Sequence, residues 1–293
     1  MTDTTSFKPL QDPALQNWAE LELPNTWADQ FNFRNPLDVF RFFKGIFGRQ
    51  RNKVALPDSV PGIESIPKYV LQEFHSLPNG NYSKRITRGY ITGFDQSMLG
   101  VMAEARQCIA KTLQGCSSVL DAGCAGGRTA RALKDAGASD VWGMDPSPYL
   151  LQHASKDHSD ISFVQAVAES TGFPSARFDG IAACFLFHEI PPRYLAKALT
   201  EFNRILRTNG LVAICEPSPL QVDLSLWQIL KQFGIKGFYF GVLARFVYEP
   251  FLDAWHKQSS QIGMFERYGF EVVSDEIGMP LRHIVLRKKK TLA

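Results

Sequence analysis

Between Ser118 and Thr129 the chain reads Ser-Val-Leu-Asp-Ala-Gly-Cys-Ala-Gly-Gly-Arg-Thr, followed by Ala130-Arg131-Ala132-Leu133. Two apolar residues lead into an acid, a run of small residues follows, and a helix begins. Val119 and Leu120 suit a buried parallel strand, and the glycines permit backbone conformations and a close ligand approach that side chains obstruct. The stretch is expected to be a strand, a ligand-binding turn and a helix, the opening unit of an α/β fold.

The position of Asp121, two residues before Gly123, narrows the ligand. A carboxylate there attracts a cationic amine and repels a pyrophosphate. Dinucleotide sites use G-x-G-x-x-G to bring two phosphates onto a helix N-terminus, and Gly123, Gly126 and Gly127 do not give that spacing. The D-x-G-x-x-x-G pattern of Asp121, Gly123 and Gly127 resembles the first motif of class I S-adenosylmethionine-dependent methyltransferases. Ala125 stands where that family most often has another glycine.

Asp140-Val141-Trp142-Gly143-Met144-Asp145-Pro146 reads as a second strand closing on an acid, whose carboxylate can accept both hydroxyls of a ribose. Ile161–Gln165 is a third strand. The resemblance implies that the following Val167, Ala168 and Glu169 hold the adenine edge, with Val167 where many relatives carry an acid. Phe178–Leu186 is a fourth strand, whose C-terminal end, with Cys184 and Phe185, is expected to face the ligand. A helix over Arg193–Arg207 follows, stopping at Asn209-Gly210, then a fifth strand over Leu211–Cys215. Phe-His-Glu-Ile-Pro at 187–191, this helix and this strand resemble the subgroup holding the quinone-biosynthesis C-methyltransferases. Met264–Phe270 is expected to be the last helix, with Glu271–Val273 and Arg282–Arg287 as a closing hairpin. The fold class implied is α/β: a Rossmann-like, seven-stranded, mostly parallel sheet with an antiparallel closing strand, a helical N-terminal extension and a helical cap insertion.

Three regions are expected: an extension over 1–100, a cofactor domain over 101–217 and 262–293, and an apolar cap over 218–261. In the extension, Pro36 opens a helix with Phe40, Phe43 and Phe47 near one face and Arg41, Lys44, Arg49 and Arg51 beside them. Basic amphipathic helices can lie on membranes, which makes peripheral membrane contact one reading; packing of the phenylalanines on the core or a partner is the simpler one. Tyr90, just before the first strand, is the residue the resemblance lays over the cofactor. The cap is rich in apolar and aromatic side chains, among them Trp227, Phe233, Phe240, Phe246, Tyr248 and Phe251. It suits enclosure of a hydrophobic or aromatic acceptor, or a homodimer contact, while Lys231, Lys236 and Arg245 interrupt any transmembrane span.

Composition excludes more than it identifies. A formal net charge of +3 across 293 residues is too small for a dedicated nucleic-acid binder. The five cysteines show no metal-ligand spacing and suit a reducing compartment, so no metal is expected. With Met1–Ser6 lacking a basic start and apolar core, a cytoplasmic location is expected.

The resemblance implies S-adenosylmethionine as cofactor and methyl transfer to a small-molecule acceptor, with positioning supplying much of the rate. His188 is the first candidate for a general base and Glu189 the next, with His283, Glu216 and Asp223 behind them. Two other readings stand beside it: a non-catalytic protein that binds the cofactor or acts as a scaffold, and a nicotinamide-dependent oxidoreductase.

Overall fold

The computed structural model describes residues 11–47, 53–247 and 249–290. Met1–Ser6, Arg49, Arg51 and Tyr248 lie outside them, as does the Phe47 side chain.

Seven strands form one sheet in the order β3-β2-β1-β4-β5-β7-β6. They are β1 (Ser118–Ala122), β2 (Asp140–Asp145), β3 (Ser162–Gln165), β4 (Phe178–Cys184), β5 (Leu206–Pro217), β6 (Phe270–Ile277) and β7 (Leu281–Lys288). Neighbours from β3 to β5 pair parallel, and β7 runs antiparallel to both β5 and β6. The strand order reverses between β1 and β4, so a crevice opens outside their carboxyl ends, where open parallel sheets bind ligands.

Side-chain alternation explains why the inner strands are covered on both faces. Val119 joins Val141, Ala182 and Ala213 under one helical layer, while Leu120 and Ala122 join Met144, Ile181 and Phe202 under the other. Five helices flank the crevice or the sheet: α2 (Lys84–Ser97), α3 (Val101–Thr112), α4 (Arg128–Asp135), α5 (Pro148–Asp157) and α6 (Pro192–Ile205). Local chemistry starts two of them. Ser83 accepts from the backbone of Ile86 and Thr87, and Ser147 accepts from Leu150, with Pro148 in the first turn of α5.

The extension wraps this layered unit. Leu23, Val54, Val60, Ile66 and Tyr82 build a satellite core on Tyr149, and the Trp18 indole donates to the Phe163 carbonyl at 3.0 Å. Its first helix, α1 (Pro36–Phe47), begins at Pro36 as expected. Phe40 and Phe43 are not buried in the core of the chain, being 67% and 49% exposed, although the Phe43 ring meets Phe42 edge-on at 5.6 Å. Phe42 turns inward instead, edge-on to Phe33 at 5.2 Å.

Three other expectations need correction. The helix read as ending at Arg207 ends at Ile205, because the carbonyls of Arg204 and Ile205 accept from the backbone of Ala176 and Arg177. Residues 264–270 hold only a 3-10 turn, Glu266–Tyr268, bracketed by Gly263 and Gly269 at positive φ. The last helix lies earlier, at α9 (Leu252–Ser259), inside the stretch read as cap. Trp255 anchors α9 to the core by stacking on Phe187 at 5.1 Å. The remaining cap is α7 (Leu220–Asp223) and α8 (Leu226–Phe246), the latter started by a Ser225/Gln228 capping box and broken at Gly234. Among the described residues no helix is long and apolar enough to cross a membrane.

Candidate active site

Two cavities meet at the carboxyl ends of β1 and β4. The first is a cleft whose floor is the glycine turn after β1. The amides of Gly123 and Cys124 both donate to the Met144 carbonyl at 2.9 Å, which ties the turn to the end of β2. Gly123 has φ +71°, a conformation that favours glycine, and a Cβ there would stand 2.9 Å from the end of the Leu186 side chain, which would have to shift. Ala125 adopts φ +46° in the same turn, a left-handed conformation that costs an L-residue about 1–2 kcal/mol.

Asp145 lines the cleft from the end of β2, its two oxygens accepting from the amides of Ala125 at 3.1 Å and Ser147 at 2.9 Å. Burial lifts its pKa to about 7 against those two hydrogen bonds. Asp121 is also buried and also lifted to about 7, first by burial, with the Ala130 amide donating to one oxygen at 2.8 Å. Its other oxygen has no protein partner. Asn81, from the extension, lines the cleft with a side-chain oxygen that is likewise buried and unpartnered. At the other end stand two guanidiniums, Arg106 and Arg128, both held by Asp95.

The second cavity, about 490 Å³, lies between α1, α2 and α8. Its walls are mostly apolar, including Phe42, Met98, Phe240 and Leu243. Gly89 and Gly93 of α2 also line it, and a Cβ on either would meet no atom within 4 Å. Four residues line both cavities: His75, Tyr90, Phe94 and Phe185.

Five ionisable groups are gathered at this shared wall. His75 reaches Glu189 through Nε2 at 3.0 Å and Glu249 through Nδ1 at 2.9 Å, and its ring stacks on Tyr90 with centroids 5.1 Å apart. His188 lies 2.5 Å from Glu216 through Nδ1 and 3.5 Å from Glu249 through Nε2. Glu216 also accepts from the amides of Leu186 and Phe187, which fixes the turn after β4. Burial opposes charge on both imidazoles, but the carboxylates outweigh it and hold His75 at about 10 and His188 at about 9. The surrounding carboxylates thus favour the charged form of both rings. Glu249, despite burial, is held below its ordinary value by the two histidines.

Of the residues expected at the cofactor, Tyr90, Gly123, Ala125, Asp145, Pro146, Val167, Ala168, Cys184 and Phe185 line the cleft. Asp121 and Gly127 lie behind the turn, where Gly127 begins α4. Glu169 turns away and accepts from the Tyr69 hydroxyl at 2.9 Å. Glu189 lines the cleft, whereas His188 is enclosed and lines only the second cavity. Glu216 and Glu249 favour the charged form of His188, which works against a role as general base. His283 and Asp223 line neither cavity.

Residues 119–210 match a family of methyltransferase domains. The chain carries a class I S-adenosylmethionine-dependent methyltransferase domain. The nicotinamide-dependent reading is thereby overturned. The methyltransferase is 29% identical over 180 residues to an uncharacterised methyltransferase of Synechocystis, covering 59% of this chain and 77% of that one. It is 30% identical over 99 residues to a demethylmenaquinone methyltransferase of Chlorobaculum tepidum, covering 34% of this chain and 40% of that one. A malonyl-[acyl-carrier protein] O-methyltransferase of Pseudescherichia vulneris is 33% identical over 100 residues, with 33% of this chain and 38% of that one covered. Among solved structures, a TehB-like methyltransferase of Corynebacterium glutamicum aligns with 69% of this chain and all of its own length at 18% identity and a TM-score of 0.45.

The cleft fits S-adenosylmethionine on its own chemistry: a buried acid at the end of β2, a turn whose positive φ at Gly123 favours glycine, the unpartnered buried oxygen of Asn81 and two guanidiniums. Sequence reasoning missed Asn81, Arg106 and Arg128, and above all His75 and Glu249. No local spacing marks that pair, since 174 positions separate them.

Proposed function

We propose that this methyltransferase moves a methyl group to a small hydrophobic or aromatic acceptor held in the second cavity. The observation that carries the reading is the apolar cavity of about 490 Å³ sharing a wall with the cofactor cleft. Concave, mostly apolar sites with a few convergent polar groups are the usual form of small-molecule sites. Similarity to methyltransferases named for demethylmenaquinone and for a malonyl carrier protein agrees with a non-nucleic-acid acceptor.

S-adenosylmethionine supplies an electrophilic methyl group when bound. Asp145 is placed to accept the ribose hydroxyls, the Val167–Ala168 segment to border the adenine, and Arg106 and Arg128 to face a carboxylate. Tyr90 and Phe185 form the partition across which acceptor and cofactor are aligned, and the apolar walls exclude water. His75 and His188 hold the partition in place as cations and stabilise negative charge that develops on an acceptor oxygen or ring. Glu189, at the cleft, is the remaining candidate to receive a proton. The apolar outer faces of α1 and α8 are the candidate surfaces for membrane or homodimer contact.

Gly93 provides the test. Gly93→Leu directs a side chain into the acceptor cavity without touching the cleft. Release of S-adenosylhomocysteine with apolar hydroxyarenes as acceptors is expected to fall at least about tenfold, with S-adenosylhomocysteine binding unchanged. Full turnover by Gly93→Leu contradicts the acceptor site, and cofactor binding without turnover of any acceptor returns the non-catalytic reading.

A further inference from the structure

We propose that the outer face of α1 seats on an anionic phospholipid bilayer, bringing the mouth of the acceptor cavity to the apolar phase; the role of that mouth rests on the acceptor reading above. α1 covers the cavity with Phe42, and Phe33 just before it completes the same wall. The opposite stripe of the helix is Leu37, Phe40, Arg41 and Lys44, at i, i+3, i+4 and i+7, and all four are exposed. Leu37 is 64% exposed and Phe40 67%. A surface helix ordinarily turns polar residues outward and its apolar stripe to the core, so this helix is inverted on its free side. Phe246, 74% exposed, extends the apolar rim from the end of α8, next to Leu243, Ala244 and Val247 of the cavity wall.

The charge around this rim identifies the surface it meets. Arg34, Arg41 and Lys44 are exposed on and beside α1, and Arg85 and Arg88 are exposed on the adjoining α2. The acids here are directed to local partners. Asp38 accepts from the Asn32 amide and the Arg41 guanidinium, and Asp29 from the amides of Thr26 and Arg85. Apolar side chains set among cations are the composition that lies in the headgroup region of a negatively charged leaflet. A second copy presenting the same face would set these cations against themselves, which disfavours a two-fold pair through α1.

The test is sedimentation of the full chain with phosphatidylcholine vesicles made with and without phosphatidylglycerol. Binding is expected to be at least about tenfold stronger with the anionic lipid, and to weaken at about 0.5 M salt, where screening is short-ranged. The double variant Leu37→Glu, Phe40→Glu is expected to lose vesicle binding while keeping its circular dichroism and S-adenosylhomocysteine affinity. Gly93→Leu, in contrast, is expected to bind vesicles normally, which separates docking from the acceptor reading. Absence of vesicle binding, undiminished binding by the double variant, or a self-association that the double variant abolishes in place of vesicle binding overturns the proposal.

Discussion

His75 and Glu249 join the two buried ion-pair groups at the wall between the cavities. Sandwiched between Glu189 and Glu249, His75 has its pKa raised to about 10, and His188, between Glu216 and Glu249, to about 9. Both exceed the unfolded value of about 6.5, so the native state binds more protons between that value and the folded ones. The stability they contribute is fully present below about pH 6.5 and is lost as pH rises through about 9–10. The melting temperature is expected to decline from pH 7 to pH 10. In Glu249→Gln stability at pH 7 is expected to be lower by about 3–5 kcal/mol, and the decline of the melting temperature shallower; scanning fluorimetry across that range checks the slope, and urea unfolding at pH 7 the stability. An unchanged slope in Glu249→Gln contradicts the ion-pair account. His188, Glu189 and Glu216 were singled out from the sequence, but the parts of His75 and Glu249 were not legible there, His75 sitting in Glu-Phe-His-Ser without a motif. The places of Gly123 and Asp145 at the cleft were legible, because they depend on a strand and a turn only a few residues away, whereas Asp121, expected to face a ligand amine, lies outside the cleft lining and accepts from the Ala130 amide. Ala125 was legible as a departure, and its φ of +46° shows what the departure strains.

Among the elements, α2 shows a conflict between propensity and function. Gly89 and Gly93 both lie within a 14-residue helix, where each glycine is about 0.5–1 kcal/mol less favourable than alanine. Neither is required by the backbone, and a Cβ at either would meet open space. Both line the second cavity, which their small size keeps open under the proposed acceptor reading. Gly89→Ala and Gly93→Ala are each expected to raise stability by about 0.5–1 kcal/mol, measured by urea unfolding. Destabilisation by either would show that the helix, and not the cavity, needs the glycine. The strands were legible because apolar runs and terminal acids mark them locally. The end of α6 and the position of the last helix were not. Carbonyl partners from a distant loop set the first, and Trp255 stacking on Phe187 set the second. Burial of Phe40 and Phe43 in the core was misjudged for a related reason: amphipathic spacing shows that a helix has an apolar side, not what covers it.

At the scale of the whole molecule, the sheet places one cleft at the strand-order reversal, and the extension and cap build a second cavity against it. His75 and Tyr90 come from the extension, Phe185 and His188 from the turn after β4, and Glu249 from beyond α8. The partition thus joins three stretches far apart in the chain, which is why the turn after β1 could be read from sequence while the assembly of the shared wall could not. The central claim is that this cleft holds an S-adenosyl ligand through Asp145. Isothermal titration calorimetry of S-adenosylhomocysteine with the wild type and Asp145→Ala, with NAD as control, tests it most directly. The account expects saturable binding by the wild type, at least about tenfold weaker in Asp145→Ala because a charged hydrogen-bond partner is lost, and no binding of NAD. Equal affinity in the two proteins, or no binding by folded wild type, contradicts it.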